Sequence, residues 1–290
     1  MPTTRHAFDA ILSPTIIGPA VLAALAEDLG IAGDVTTNSV IGPDVMARGL
    51  FATRKPGVVS GLDVAQAAFR ALDPDVEFEI VHPDGTNAPG KSPLARVHGR
   101  ARALLSAERV ALNFVGRMSG IATLTRQYVD AVKGTKAVII DTRKTTPNLR
   151  AFEKYAVRCG GGMNHRVGLF DAVLIKDNHI VVAGGIAQAI EAVRSRVGHL
   201  VKIEVEVDTL DQLRQAMAHK VDAVLLDNMS PAQLKEAVGI VAGRALTEAS
   251  GGINMQTLRA VAESGVDLIS SGALTHSVSV LDIGLDFEIG

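Results

Sequence analysis

VKIEVEVDTLDQLRQAMAHKVDAVLLDN, Val201 to Asn228, holds two short apolar runs, each closing on an acid, with an amphipathic helical pattern between them. Short runs of continuous apolar residues read as strands buried on both faces, as in a parallel sheet covered by helices. The unit recurs outward from this stretch. AVIID ends at Asp141, DAVLIKD carries Lys176 beside Asp177, VKIEVEVD carries Glu206, DAVLLDN carries Asp227, RALTEASGG carries Glu248, and VDLISSG closes at Ser270. The helical patterns IAQAIEAVRSRV, TLDQLRQAMAHK, SPAQLKEAVGIV and NMQTLRAVAES lie between them, and the last four strand ends fall roughly 21 residues apart. That is a β-turn-α-turn unit repeated. Polar residues at nearly every strand's carboxyl end predict a (β/α) barrel with its site at that end, and the length suits an incomplete barrel of six or seven strands. A doubly wound open sheet is the alternative.

Toward the N-terminus the texture changes. The strand-like pieces MARGLFATR, GVVSG, VEFEIV and PLARVHG are separated by loops such as HPDGTNAPGKSP, with a helix over Val64 to Leu72 and no βαβ rhythm, which predicts a small α/β sandwich. From Ser106, taken as N-cap, a helical pattern runs to about Val132 with Arg109, Leu112, Asn113 and Gly116 at turn spacing. Ala10 to Ala26 carries no charge and ends in Ala-Leu-Ala, superficially like a signal peptide, but Asp9 spoils a basic leader and Pro14 and Pro19 interrupt the run. Pro19 reads instead as the first residue of a helix ending at Gly30. Two domains are expected: residues 1–115 with the tail 277–290 returning to them, and residues 116–276.

Of the 290 residues, 47% are hydrophobic and 21% charged, the balance of a soluble globular enzyme. A net charge of −2 and an aromatic content of 3% argue against nucleic acid or an acidic membrane as partner. The single cysteine, Cys159, excludes an intramolecular disulfide and fits a reducing compartment, so a cytoplasmic protein is expected. No zinc-type histidine spacing occurs.

Within this near-neutral chain, Arg143 to Arg166 holds six cations (Arg143, Lys144, Arg150, Lys154, Arg158, Arg166) against Glu153 alone. Arg150 and Lys154, four apart, read as a solvated helix face. Arg143 and Lys144 instead follow directly on a buried strand. Arg166 and His165 follow Gly160-Gly161-Gly162, where absent side chains let backbone N–H groups face a ligand. Arginine offers a planar fork to carboxylates and lysine a point charge to phosphate. Glu206 and Asp227 are hard oxygen donors of the kind that hold Mg2+ beside a phosphate-bearing substrate, and Glu204, on the same strand face as Glu206, competes for that role. Ser250-Gly251-Gly252 and Ser271-Gly272-Ala273, after the last two strands, are where barrels commonly hold phosphate. Together these describe a phosphoribosyl donor and an acidic acceptor.

DTRKTTPNLRAFEKYAVRCGGGMNHRVGLFDAVLIKDNH, preceded by LSAERVALNFVGRMSGIAT and followed by EVEVD, LLDN, EASGGIN and GALTHSVSVLDIGLDF, resembles the quinolinate phosphoribosyltransferases over nearly the whole chain. The resemblance implies an N-terminal α/β sandwich, an incomplete barrel, and a homodimer in which the sandwich of one subunit caps the barrel of the other. It implies transfer of phosphoribosyl from 5-phosphoribosyl 1-pyrophosphate to quinolinate with loss of CO2, in de novo NAD synthesis, with Mg2+ and no organic cofactor. Arg143, His165 and Arg166 would bind the two carboxylates and ring of quinolinate, joined by Arg109 of the partner subunit, and Thr142 would also be substrate-binding. Lys144 and Lys176 would lie between the two substrates; Glu206 and Asp227 would serve the ribose hydroxyls and Mg2+; Ser250, Gly251, Gly252, Ser271, Gly272 and Ala273 would hold the 5-phosphate. Asn148 stands where the family has glycine, which asparagine's tolerance of the left-handed region permits, and Ser271 where an apolar residue is common. Rival readings are a related transferase for another base, such as nicotinate or those found with molybdate transport, a Schiff-base lyase using Lys176, and a non-catalytic phosphate-binding module.

Overall fold

The computed structural model describes residues 11–288, and the chain divides into two units: residues up to 126, 146–161 and from 277, and residues 127–145 and 162–276. The leader reading, which turns on Asp9, and the last two residues of the tail lie outside the described residues.

The first unit opens with helix α1 (Pro14–Leu29) and α2 (Val35–Val40), whose caps Ser13 and Asp34 accept from the backbone N–H of Thr15 and Thr37. The helix expected from Pro19 therefore starts five residues earlier, and Pro19 lies inside it. Ser13 followed by Pro14 is a stronger start signal than a proline alone, because cap and first-turn proline act together. Strands β1 (Met46–Thr53), β2 (Gly57–Val58), β3 (Glu77–Ile80), β4 (Asn87–Ala88) and β5 (Pro93–Arg100), with helix α3 (Leu62–Leu72), complete its first part. A four-stranded antiparallel sheet forms from β1, β3, β5 and the tail strand β12 (Ile283–Glu288), in the order β12-β1-β5-β3. Along β5 buried Leu94, Ala95 and Val97 lie among outward Arg96 and Arg100, so one face is packed and one open. Phe51, Phe69 and Phe78 form the aromatic part of its core, with ring centroids 5.7–6.1 Å apart.

Helix α4 (Ala101–Ala131) begins directly where β5 ends, five residues before the expected N-cap. Ser106 is an interior residue whose hydroxyl donates to Asp34 Oδ2 at 3.0 Å. The buried periodicity already runs through Ala103, Leu104 and Ala107, so the helix needs no stop at Ser106. The expected division at residue 115 falls within α4. The tail crosses this helix at two glycines: Leu281 N–H donates to Gly116 C=O at 2.9 Å, and a side chain at Gly120 would strike the Ser279 carbonyl. Helix α5 (Arg150–Cys159) also belongs to this unit, and Phe152 to Val157 are all buried. Lys154, expected on a solvated face, is 3% exposed, because α5 is enclosed on most sides rather than on one. Glu153 pairs with Arg117 and accepts the Thr146 N–H at 3.1 Å.

The second unit is a parallel sheet with strands β6 (Val138–Ile140), β7 (Val173–Ile175), β8 (Ile203–Val207), β9 (Ala223–Asp227), β10 (Leu246–Ser250) and β11 (Leu268–Ser270). Helices α6 (Asp177–Ala183), α7 (Ile186–Arg194), α8 (Leu210–Met217), α9 (Pro231–Val241), α10 (Leu258–Glu263) and α11 (Ala273–His276) follow the strands. Capping boxes start two of them, Thr209 with Gln212 on α8 and Ser230 with Gln233 on α9. The order is β6-β11-β10-β9-β8-β7. Strands β7 to β11 follow in sequence and β6 lies beyond β11, so no point exists where the order reverses in mid-sheet, as a doubly wound sheet requires. This is an incomplete six-stranded (β/α) barrel, with β6 and β7 as its end strands and Ile140 bridged to Met163 beside the gap.

Candidate active site

The carboxyl ends of the barrel strands surround a cavity of about 410 Å³. Thr142, Arg143, Lys144, His165, Arg166, Lys176, Glu206, Asp227 and Ser250 all line it, joined by Glu248 and Ser270. Sequence positions more than a hundred residues apart are brought together because the strands of one sheet, the loop after β6 and the loop before β7 converge there.

The first wall is cationic. Asp141, fully buried at the end of the β6 run, accepts the His165 N–H at 2.8 Å and the Asn164 side-chain amide at 2.6 Å. That clamp fixes the loop carrying His165 and Arg166 against the loop carrying Arg143 and Lys144. The Lys144 N–H donates to Thr142 Oγ1 at 3.0 Å, and its carbonyl accepts from Thr275 Oγ1 at 2.7 Å. Gly272 makes room for this lysine: a Cβ there would lie 2.9 Å from Lys144 Cδ. Arg166 donates through Nη1 to the Ala172 carbonyl at 3.1 Å, while its buried Nε has no hydrogen-bond partner among the described residues. Burial and the neighbouring Arg143 pull the Arg166 guanidinium below its ordinary value. A buried donor without an acceptor and two crowded cations are the signature of an anion site.

The second wall is acidic. Glu206 on β8 receives Lys176 Nζ at 2.5 Å, so the two walls meet at this ion pair. Asp227 ends β9 and lies in register with Ser250 on β10. The Asn228 amide donates to Asp227 Oδ2 at 2.6 Å, and the backbone N–H of Asn228 to the Ser250 carbonyl at 2.9 Å. Gly251 has φ +92°, and a side chain there would collide with Asn228, so the turn after β10 needs glycine on both counts. Gly252 lies in the same turn, Ser271 follows β11 and Ala273 opens α11; Ser271 N–H donates to the Ile140 carbonyl at 3.2 Å.

Two features differ from the sequence expectations or escape them, the glycines after α5 and Glu248. Gly160 is required by packing, since a Cβ there would lie 2.5 Å from the Ala122 carbonyl of α4, and the N–H groups of Gly160 and Gly161 donate to carbonyls of Ala156 and Arg158. Those glycines close the end of α5 and do not face a ligand. Arg109, expected to act from the partner subunit, lies on α4 in the first unit. Glu248, 1% exposed, faces the site from inside β10 beside Glu204, and burial and the Glu204 charge push its carboxyl well above the usual range, to about 8. An acid inside an apolar strand, as in RALTEAS, is the sequence signal for it, because an acid is rarely buried without a purpose.

A barrel mouth with crowded cations on one wall, carboxylates on the other and small-residue turns after its last two strands defines an enzyme site for a phosphorylated, anionic substrate. Two family descriptions match: quinolinate phosphoribosyl transferase, N-terminal domain, over residues 34–119, and its C-terminal domain over residues 121–286. The chain is 46% identical over 268 residues to the nicotinate-nucleotide pyrophosphorylase (carboxylating) of Mycobacterium leprae, covering 91% of this chain and 94% of that protein. It superposes on the nicotinate-nucleotide pyrophosphorylase structure from Francisella tularensis with a TM-score of 0.92 at 39% identity, covering 96% and 98% of the two chains. For the corresponding structure from Ehrlichia chaffeensis the TM-score is 0.90 at 42% identity, covering 96% and 100%. The chain belongs to the quinolinate phosphoribosyltransferase family.

Proposed function

We infer that the protein is a phosphoribosyltransferase that moves the phosphoribosyl group of 5-phosphoribosyl 1-pyrophosphate onto quinolinate, giving nicotinate mononucleotide, pyrophosphate and CO2, a step of de novo NAD synthesis. The observation that carries this is the pairing of Arg143 and Arg166 in one cavity wall opposite Glu206 and Asp227. Family membership and the names of the similar proteins support the same reading.

Arg143 and Arg166 bind the two carboxylates of quinolinate, with Thr142 and His165 beside them, and Arg109 of the partner subunit completes the set in a homodimer. Lys144 and Lys176 stand between the acid and the pyrophosphate. Glu206 and Asp227 orient the ribose hydroxyls, and the turns Ser250-Gly251-Gly252 and Ser271-Gly272-Ala273 hold the 5-phosphate with backbone N–H groups. Glu206 and Asp227 are also hard-oxygen donors on adjacent strands, the kind that suits Mg2+. Bound there with the substrate, the ion would neutralise charge building on the departing pyrophosphate. The C1–O bond to pyrophosphate breaks with its electron pair leaving on oxygen, the quinolinate nitrogen forms the new bond to C1, and the ring becomes cationic. The 2-carboxylate then leaves as CO2, its bonding pair remaining on the ring carbon, which takes up a proton. The enzyme's part is to position and to stabilise charge.

No described helix is long and apolar enough to cross a membrane. We place the enzyme in the cytoplasm, although relatives from Oryza sativa and Arabidopsis thaliana are named chloroplastic. Assaying quinolinate and nicotinate in parallel with phosphoribosyl pyrophosphate and Mg2+ tests the function. Quinolinate should be turned over with CO2 release, and this should stop on chelation of the metal. Equal or faster turnover of nicotinate would refute the assignment.

A further inference from the structure

Beneath the cationic wall lies a group that the transfer reaction does not obviously need. Glu204 on β8 and Glu248 on β10, 9% and 1% exposed, converge on the His165 ring: Nε2 is 3.1 Å from Glu204 Oε2 and 3.6 Å from Glu248 Oε2. Two carboxylates this close in a buried site cannot both be charged without cost. The other ring nitrogen settles the arrangement. Nδ1 accepts the backbone N–H of Arg166 at 2.6 Å, so Nδ1 carries the lone pair and the ring proton sits on Nε2, directed at Glu204.

A metal ion held by the same three side chains would need the Nε2 lone pair. The ring proton would then move to Nδ1 and face the Arg166 N–H donor to donor, which the 2.6 Å separation forbids. A proton on Nε2, and not a metal, therefore joins the ring to the acids, with Glu204 Oε2 the nearer acceptor and Glu248 Oε2 the farther one. Both nitrogens of His165 are engaged within the protein, one by the acid pair and one by the backbone of the arginine that follows.

We propose that Glu204 and Glu248 are positioning residues that lock His165 in the Nε2–H tautomer, so that His165 serves the substrate by fixing the Arg166 backbone and not by donating a hydrogen bond to a carboxylate. Removing the acceptor at Glu204 frees the ring to turn over, leaves the Arg166 N–H without its acceptor, and lets the guanidinium drift from the acid it reads. The proposal rests on the functional reading given above only in naming quinolinate as that acid.

Nitrogen-15 NMR of the protein labelled at histidine, with the His165 signal assigned by a His165→Gln variant, tests the tautomer directly. A protonated Nε2 and an unprotonated, hydrogen-bonded Nδ1 are expected, unchanged when quinolinate binds. A protonated Nδ1, or an Nε2 proton that transfers its contact to quinolinate, overturns the proposal. Kinetics supply the second arm. Glu204→Leu, which removes the acceptor, should raise the KM for quinolinate about tenfold while kcat and the KM for phosphoribosyl pyrophosphate change by less than about threefold. Glu248→Leu, which removes the more distant carboxyl group, should raise the same KM by less than Glu204→Leu does. Equal or greater damage from Glu248→Leu contradicts the assignment of Glu204 as the acceptor that holds the ring. If Glu204→Leu does not fold, the parent spectrum decides alone. Failure of the parent enzyme to use quinolinate would remove the functional reading and leave the tautomer measurement standing on its own.

Discussion

The open face of the antiparallel sheet and the floor of the barrel cavity each assemble two glutamates, one arginine and one histidine. On the sheet, Glu79 lies opposite Arg96 and Glu77 opposite His98, and the ion pairs measure 3.1 and 3.4 Å with side chains 36–80% exposed. In the barrel, Glu204, Glu248, His165 and Arg166 gather behind the cavity with the glutamate and histidine side chains only 2–12% exposed. Similar distances carry opposite meanings. Water screens the sheet pairs and competes for every hydrogen bond, so they contribute little beyond solubility and register. In the barrel each charge must find its partner inside the protein, so proton location and ring orientation become fixed properties of the structure.

The largest effect should come from the barrel's cationic wall. Lys144→Ala should lower kcat/KM by about a thousandfold with the fold intact by circular dichroism, since it removes preorganised charge from where charge develops. Loss of less than tenfold would place Lys144 outside the reaction. Next, Asp141→Ala should destabilise the protein by about 2 kcal/mol in urea unfolding, because it leaves the His165 N–H and the Asn164 amide unsatisfied. A neutral result would mean that the loop is held by other contacts.

Acidity sharpens the contrast further. The folded state holds a proton on Glu248 that the unfolded chain releases in the ordinary carboxylate range, so raising the pH toward about 8 favours unfolding. Compared with Glu248→Gln, the parent should lose melting temperature as pH climbs through that window, with the two converging below pH ~4, where both carry a neutral side chain. Parallel melting curves at all pH values would refute the buried neutral acid. The smallest effect belongs to the sheet. A double-mutant cycle of Glu79→Ala and Arg96→Ala should give a coupling below about 1 kcal/mol, and a value several times larger would erase the distinction between the two groups.

Much of the barrel was legible because parallel strands buried on both faces must be apolar throughout, so the polar residue that ends each run stands out. All six apolar runs became strands, and nine of the expected site residues reached one cavity. What could not be read depended on neighbours distant in the chain. Glu204 and Glu248 meet His165 only when β8 and β10 are set beside the loop that precedes β7. Gly160 is glycine because α4 passes it, a fact that no local pattern carries. Helix starts failed for a different reason. The patterns at Pro19 and Ser106 are good local signals, but Ser13 with Pro14, and the run of buried residues from Ala103, begin their helices sooner.

The most direct test of the account is a crystal structure of the enzyme with quinolinate bound. It should place the ligand in the barrel-mouth cavity, its two carboxylates on Arg143, Arg166 and Arg109 of the partner subunit, with His165 Nε2 still directed at Glu204. Quinolinate bound elsewhere, or carboxylates met by neither Arg143 nor Arg166, would contradict it.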